Sequence, residues 1–305
     1  MLNSDKSKKK RRILVTEYTG FDKIYRDIVM DIIENGTDQD PALVRAKYAD
    51  GSPAPTRFIQ GVNFKITPAD GIPILKSKRV FQKTPLIELE WIWQELSNDV
   101  TWLQDHNCKV WNEWVDDNNT IGKAYGYQLA KKCRKLPDRE EKLNQVEYVL
   151  HQLENNPGSR RIMTSLWDVD DLDEMTLEPC VWATNWKVNN GVLDLHVKQR
   201  SADMALGQPF NTYQYAVLHR LIADQLGFKL GTMHWCIDDA HVYDRHIDAL
   251  KEQLSQPIPD SEPTLVLPDK FDENGHKRSF FERRLSDVKL EDYEHNGVIK
   301  YEIAE

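Results

Sequence analysis

The sequence predicts one large domain mixing helices and strands, of α/β or α+β type, and three observations carry that expectation. Apolar residues Ile24, Ile28, Ile32 and Ile33 recur at helical spacing, and a longer helical pattern runs from Pro209 to Gly227. Apolar stretches flank Asn189-Asn190-Gly191, a sequence suited to a tight hairpin turn. A chain of 305 residues that is 40% hydrophobic and carries nine Trp has enough apolar surface for a sizeable core.

The elements follow in order. Residues 1–15, with Lys6, Lys8, Lys9, Lys10, Arg11 and Arg12, read as a disordered basic tail, with a nucleic-acid-binding arm as the alternative. The folded domain is expected over residues 16–305. Asn35-Gly36 stops the first helix, and a polar loop through Arg45 and Asp50-Gly51-Ser52-Pro53-Ala54 follows. Thr56 to Ile66, with Phe58, Val62 and Phe64, reads as a strand, and Asp70-Gly71-Ile72-Pro73 turns the chain. Leu86 to Leu96, carrying Trp91 and Trp93, is a buried helix with Pro85 in its first turn. Glu88 lies inside it, where a carboxylate is costly unless partnered or protonated, and such positions are often functional. A solvated face suffices for Glu90.

Residues 131–142 are charge-rich surface, and a helix is expected from about Leu143 to Glu154. After the turn Asn156-Pro157-Gly158-Ser159, Arg160-Arg161 opens a strand from Ile162 to Trp167. Cys180 begins a strand that ends near Val188, and the return strand delivers Arg200-Ser201. The long helix sets Tyr213, Val217, Leu218, Leu221 and Ile222 on one side and stops at Gly227. A strand over Leu230 to Ile237 and a helix over His241 to Leu254 come next. Pro257, Pro259, Pro263 and Pro268 then mark short strands and loops.

Composition narrows the function. The net charge of −9 keeps the chain from attracting polyanions as a whole, so an anionic ligand needs a local basic pocket. Cys108, Cys133, Cys180 and Cys236 are widely spaced, with neither zinc spacing nor a disulfide framework. No metal is expected, and a reduced, cytoplasmic setting is. No apolar run approaches the roughly 20 residues of a membrane helix, and the N-terminus lacks the apolar part of a secretory signal.

Chemistry concentrates between Leu177 and Tyr243. Pro179-Cys180 offers a thiol, Gln199-Arg200-Ser201-Ala202-Asp203 an anion-holding pair and a carboxylate, Pro209-Phe210-Asn211 an amide, and His241-Val242-Tyr243 two further polar rings. This ordered set closely resembles thymidylate synthase, from about Phe21 to about Leu254 and weakly beyond. The nearest branch carries an Asp-Gly-x-Pro-Ala loop and a Trp-Ile-Trp-Gln helix, here Asp50 to Ala54 and Trp91 to Gln94.

The resemblance implies a single α+β domain built on a large mixed β-sheet with packed helices, one sheet face being used for dimerisation. It implies reductive methylation of dUMP to dTMP with 5,10-methylenetetrahydrofolate as co-substrate, giving dihydrofolate. Cys180 would add to C6 of the pyrimidine, its thiolate favoured by Arg200 and the other phosphate arginines. Glu88 would move protons at O4 and on the folate, and Tyr125, in Gly122-Lys123-Ala124-Tyr125-Gly126, would help remove the C5 proton. Asn211 would read O4 and N3–H, which favours uracil over cytosine. Arg45, Arg200, Ser201 and the partner subunit's Arg160 and Arg161 would clamp the phosphate, Gln199 would bind the nucleotide, and His241 and Tyr243 would bind the 3′-hydroxyl. Val110, Trp111, Trp114, Asp203, Leu206, Gly207, Phe210 and Ala304 would form the folate side, with Asp203 on the pterin.

Taken singly, several of these residues have plainer readings. Cys180 alone reads as a buried structural Cys, Arg45 as an exposed loop residue, Arg160 and Arg161 as a solvated pair, and Trp111 and Trp114 as core packing. Three departures from the family stand out. Val181 replaces the common His after the nucleophile, Asp238 replaces a glycine and puts a negative charge near the nucleotide end, and Glu305 replaces an apolar terminus. Looser closure at Glu305 would let water intercept the methylene and give 5-hydroxymethyl-dUMP with tetrahydrofolate, the alternative activity.

Overall fold

The computed structural model describes residues 14–15, 17–137 and 140–304. Its first half runs β1 (Leu14–Val15), α1 (Gly20–Asn35), β2 (Thr37–Asp38), β3 (Thr56–Ile66), α2 (Lys83–Trp93), α3 (Val100–Asp105), α4 (Gly126–Ala130) and α5 (Gln145–Asn155). The second half runs β4 (Met163–Ser165), β5 (Val181–Asn189), β6 (Val192–Asp203), α6 (Gly207–Leu226), β7 (Lys229–Tyr243), α7 (Ile247–Ser255), β8 (Ile258–Pro259), β9 (Thr264–Val266) and β10 (Lys289–Glu291). Six strands form one mixed sheet in the order β2-β3-β7-β6-β5-β4, antiparallel throughout except between β6 and β7.

Local chemistry explains the connections around the site. β5 and β6 are joined by Asn190 and Gly191, both at positive φ (50° and 74°), the two-residue turn whose twist matches that of the strands. Parallel neighbours need a long crossover, and α6 supplies it between β6 and β7. It ends at Gly227, whose left-handed backbone closes the helix (φ 77°).

Helices α1 and α6 cover one sheet face, and α2 packs on α6. Tyr25, Val29 and Ile32 of α1 and Val217, Leu218 and Leu221 of α6 bury against Leu193, Leu195, Val197, Met233, Trp235 and Ile237 of the sheet. Truncating one such Leu to Ala costs about 2–5 kcal/mol. Because side chains alternate along a strand, Asp194, His196 and Lys198 fall on the opposite, half-buried face of β6.

The structure changes three expectations. Pairing begins earlier than the tail boundary, with β1 antiparallel to β8; the basic residues of the expected tail lie outside the described residues. Strand β7 continues to Tyr243 instead of giving way to a helix at His241, because Thr56 pairs with Tyr243 and Asp203 with His241; the helix begins only at Ile247 as α7. Glu90 is not solvated: it is buried, bonded to the Arg284 guanidinium and to the Ser286 N–H at 2.8 Å.

Candidate active site

Cys180 stands immediately before β5, and the chain holds it from two sides. Its N–H donates to Tyr125 Oη at 3.0 Å, and its carbonyl accepts the Arg200 N–H at 2.9 Å. Tyr125 is buried with a positive φ of 44° between two glycines that cannot carry a side chain. A Cβ on Gly122 would meet Glu174 O at 2.0 Å, and one on Gly126 would meet Ser97 O at 2.1 Å. Burial raises the Cys180 thiol pKa, and Arg200 and the Tyr125 hydroxyl oppose that without overcoming it. The thiolate-favouring field expected of Arg200 is therefore present but outweighed. Arg200 itself donates to Glu178 O (2.7 Å) and Pro179 O (3.2 Å), so it also fixes the turn that carries Cys180.

A chain of side-chain hydrogen bonds runs behind the thiol. Glu88 accepts Trp111 Nε1–H at 2.7 Å on one oxygen and Gln214 Nε2–H at 2.6 Å on the other. Desolvation raises the Glu88 pKa, and these two donors pull it back. Gln214 Oε1 accepts from Asn211 Nδ2 at 3.1 Å, while Gln199 Nε2 donates to Asn211 Oδ1 at 3.4 Å. Gln199 is in turn oriented by Trp235 Nε1–H at 2.9 Å. Both ends of the Asn211 amide are thus assigned, its donor towards Gln214 and its acceptor towards Gln199.

Beside this relay opens a cleft of about 400 Å³ bounded by Arg45, Ala54, Arg200, Ser201, His241 and Tyr243, with Asp239 among its walls. Two guanidiniums and a hydroxyl at one small polar cleft suit a phosphate. Asp239 holds His241 Nδ1 at 2.7 Å. Asp238 is exposed and does not line this cleft, although its neighbour Asp239 does.

The remaining expected residues cluster at the rim or stand apart. Asp203 Oδ1 takes the N–H groups of Ala205 (2.8 Å) and Leu206 (3.3 Å), just ahead of the α6 turn that carries Gly207 and Phe210. Trp111 meets Trp114 at 5.9 Å and Tyr125 at 5.1 Å between ring centroids; Trp114 is half-buried and Val110 exposed, an apolar ledge open to a flat ring. Ala304 pairs with Tyr48 through the backbone. Arg160 and Arg161 are exposed, and neither lines the cleft of its own chain. Glu305 lies outside the described residues.

Two residues escaped the sequence reading. Gln214 looks like one polar position among several on α6, yet it is buried. Lys78 hides in a basic run but is buried, donates to Ala205 O and packs on the Tyr301 ring at 4.9 Å. Burial lowers its pKa to about 8, with Asp203 opposing. Only the apolar residues around it hinted at this.

Fold and site together define an enzyme of thiol-based group transfer acting on an anionic substrate. The family model described as thymidylate synthase matches residues 23–305. A thymidylate synthase of Bacillus phage phi3T is 45% identical over 287 residues, covering 94% of this chain and 99% of its own length. Thymidylate synthase 1 of Bacillus subtilis (strain 168) is 44% identical with the same coverage. The solved thermostable thymidylate synthase A from Bacillus subtilis superposes with a TM-score of 0.86 at 44% identity, covering 94% of this chain and all of that one. The chain belongs to the thymidylate synthase family, and with it to the methyltransferases. Among the described residues, no helix is long and apolar enough to cross a membrane.

Proposed function

We propose that this chain methylates dUMP reductively to dTMP at the site built around Cys180. The observation that carries the reading is the continuous relay from Asn211 through Gln214 to Glu88, set beside a nucleophilic thiol and an anion cleft. C5 of uracil is a poor nucleophile, and addition of the Cys180 sulfur to C6 turns the ring into an enolate with charge at O4. Asn211 donates to O4 and accepts N3–H, which stabilises that charge where it develops. Glu88 exchanges protons with O4, and Tyr125 helps take the proton from C5. Arg200 favours the ionised form of the Cys180 thiol, and Arg45, Arg200 and Ser201 hold the phosphate.

The Trp111–Trp114–Val110 ledge and Asp203, with Leu206, Gly207, Phe210 and Ala304, hold 5,10-methylenetetrahydrofolate. Once bound, it supplies the one-carbon unit and the hydride and leaves as dihydrofolate. The half-buried sheet face around His196 and Lys198 joins two copies, and the exposed Arg160 and Arg161 complete the partner's phosphate site. Incubation with dUMP and methylenetetrahydrofolate, followed by mass spectrometry of both products, tests the reading. dTMP with dihydrofolate is expected; 5-hydroxymethyl-dUMP with tetrahydrofolate would show that water reaches the methylene first and would refute it.

A further inference from the structure

We propose that Arg245 is a positioning residue: it clasps one wall of the anion cleft to the C-terminal segment, so that nucleotide affinity depends on how residues 301–304 are seated. Arg245 lies in the short turn Asp244–His246 that follows β7. Its fork divides between two distant segments. Nη1 donates to both carboxylate oxygens of Glu302, at 3.1 and 3.0 Å, while Nη2 donates to Asp50 Oδ2 at 3.0 Å and Ser52 Oγ at 2.7 Å. The guanidinium also lies over the Tyr48 ring, 4.0 Å from its centroid. A lysine, with a single charged nitrogen, has no such fork with which to span both segments.

Asp50 and Ser52 belong to the loop that carries Arg45 into the cleft. The loop is closed on itself by Gly51 N–H to Tyr48 O (2.8 Å), Tyr48 N–H to Ser52 O (2.9 Å) and Ala54 N–H to Ala46 O (2.9 Å), so it moves as a unit. On the other side, Glu302 O meets His246 Nε2 at 2.7 Å, Ala304 pairs with Tyr48, and the Tyr301 hydroxyl donates to Gln253 Oε1 at 2.6 Å. The C-terminal segment therefore leans on the same loop that presents Arg45. The His246 ring packs at 5.5 Å on Tyr243, which lines the cleft. Nothing in the clasp touches the thiol or the base-reading relay, so its influence falls on the phosphate end.

This inference rests on the reading that the cleft holds the phosphate of dUMP. Its test is the affinity for dUMP alone, measured by calorimetry on the full-length enzyme. Glu302→Gln separates the clasp from a long-range charge effect, because the two predict opposite signs. Removing a negative charge near an anion site strengthens binding if only the field matters, and weakens it if the clasp seats the loop. Glu302→Gln and Arg245→Ala are each expected to weaken dUMP binding about three- to tenfold, the range of one or two exposed charge pairs. The double variant should be no weaker than the weaker single, because both changes open one clasp. Arg245→Lys should recover little, and melting temperatures should hardly move. Unchanged or tighter dUMP binding by Glu302→Gln, in an enzyme whose wild type still forms dTMP, overturns the clasp and leaves the activity standing. Additive losses in the double variant overturn it equally.

Discussion

Replacing Gln214 by Leu tests the relay at its middle link while nearly preserving side-chain volume, so no large cavity confuses the result. Gln214 makes three contacts, to Glu88 Oε2 at 2.6 Å, Pro85 O at 2.8 Å and Asn211 Nδ2 at 3.1 Å. A hydrogen bond to a charged group contributes about 1.5–3 kcal/mol net, and its loss from the transition state corresponds to roughly 10- to 150-fold in kcat. The Gln214 donor favours the ionised form of Glu88, so losing it raises a carboxyl pKa already raised by burial. The acid limb of the kcat profile, which reports ionisation of Glu88, then moves to higher pH. Stability follows the same sign. Glu88 keeps its proton in the folded protein above the pH at which the unfolded chain gives it up, so stability falls as pH rises from the ordinary carboxylate range through the raised folded value. In the variant that window extends further upward. Measuring kcat across pH by dihydrofolate release, alongside melting curves, reads both. A Gln214→Leu enzyme with an unmoved acid limb and a kcat within about twofold, well short of the loss of a charged hydrogen bond, would refute the relay.

Three further outcomes are expected. Cys180→Ser should fold normally and lose turnover, because a hydroxyl is a far weaker nucleophile at neutral pH than a thiol; near-normal dTMP formation would exclude Cys180 as the nucleophile. Asn211→Asp should admit dCMP, since a protonatable carboxyl can accept from the cytosine amine and donate to its N3; strict retention of dUMP selectivity in competition assays would move discrimination elsewhere. Mixing inactive Arg161→Ala subunits with inactive Cys180→Ser subunits should restore activity through hybrid dimers in which one site has an intact thiol and an intact partner arginine. Failure of a mixture shown to exchange subunits would separate the arginines from the partner's site.

What the sequence revealed and what it hid divide along the range of the interactions involved. The turn at Asn190-Gly191 and the stop at Gly227 are backbone demands met by the residue itself, and they are legible at a glance. The pairing of Gly122 and Gly126 around Tyr125 is legible as a motif, though its cause, contact with Glu174 O and Ser97 O, is not. The extension of β7 past Ile237 to Tyr243 is hidden because the strands that pair its last residues lie far away in the chain. The same holds for the clasp at Arg245, whose partners Asp50 and Glu302 stand 195 and 57 positions off.

Glu88 and Glu90 bring the point to the chemistry itself. They sit two residues apart on one apolar helix, and although the family resemblance singles out Glu88, nothing local gives the physical reason. Glu90 is buried against the Arg284 guanidinium and a backbone N–H, partners that hold it as a structural anion. Glu88 is half-buried at the relay and, among the described residues, takes two neutral donors, from Trp111 and Gln214, so its charged form is supported but not locked. A carboxyl in that second situation can take up and give back a proton. The physical cause of the distinction lies in Gln214, 126 positions away, and Arg284, 194 positions away, and it becomes visible only once the chain is folded.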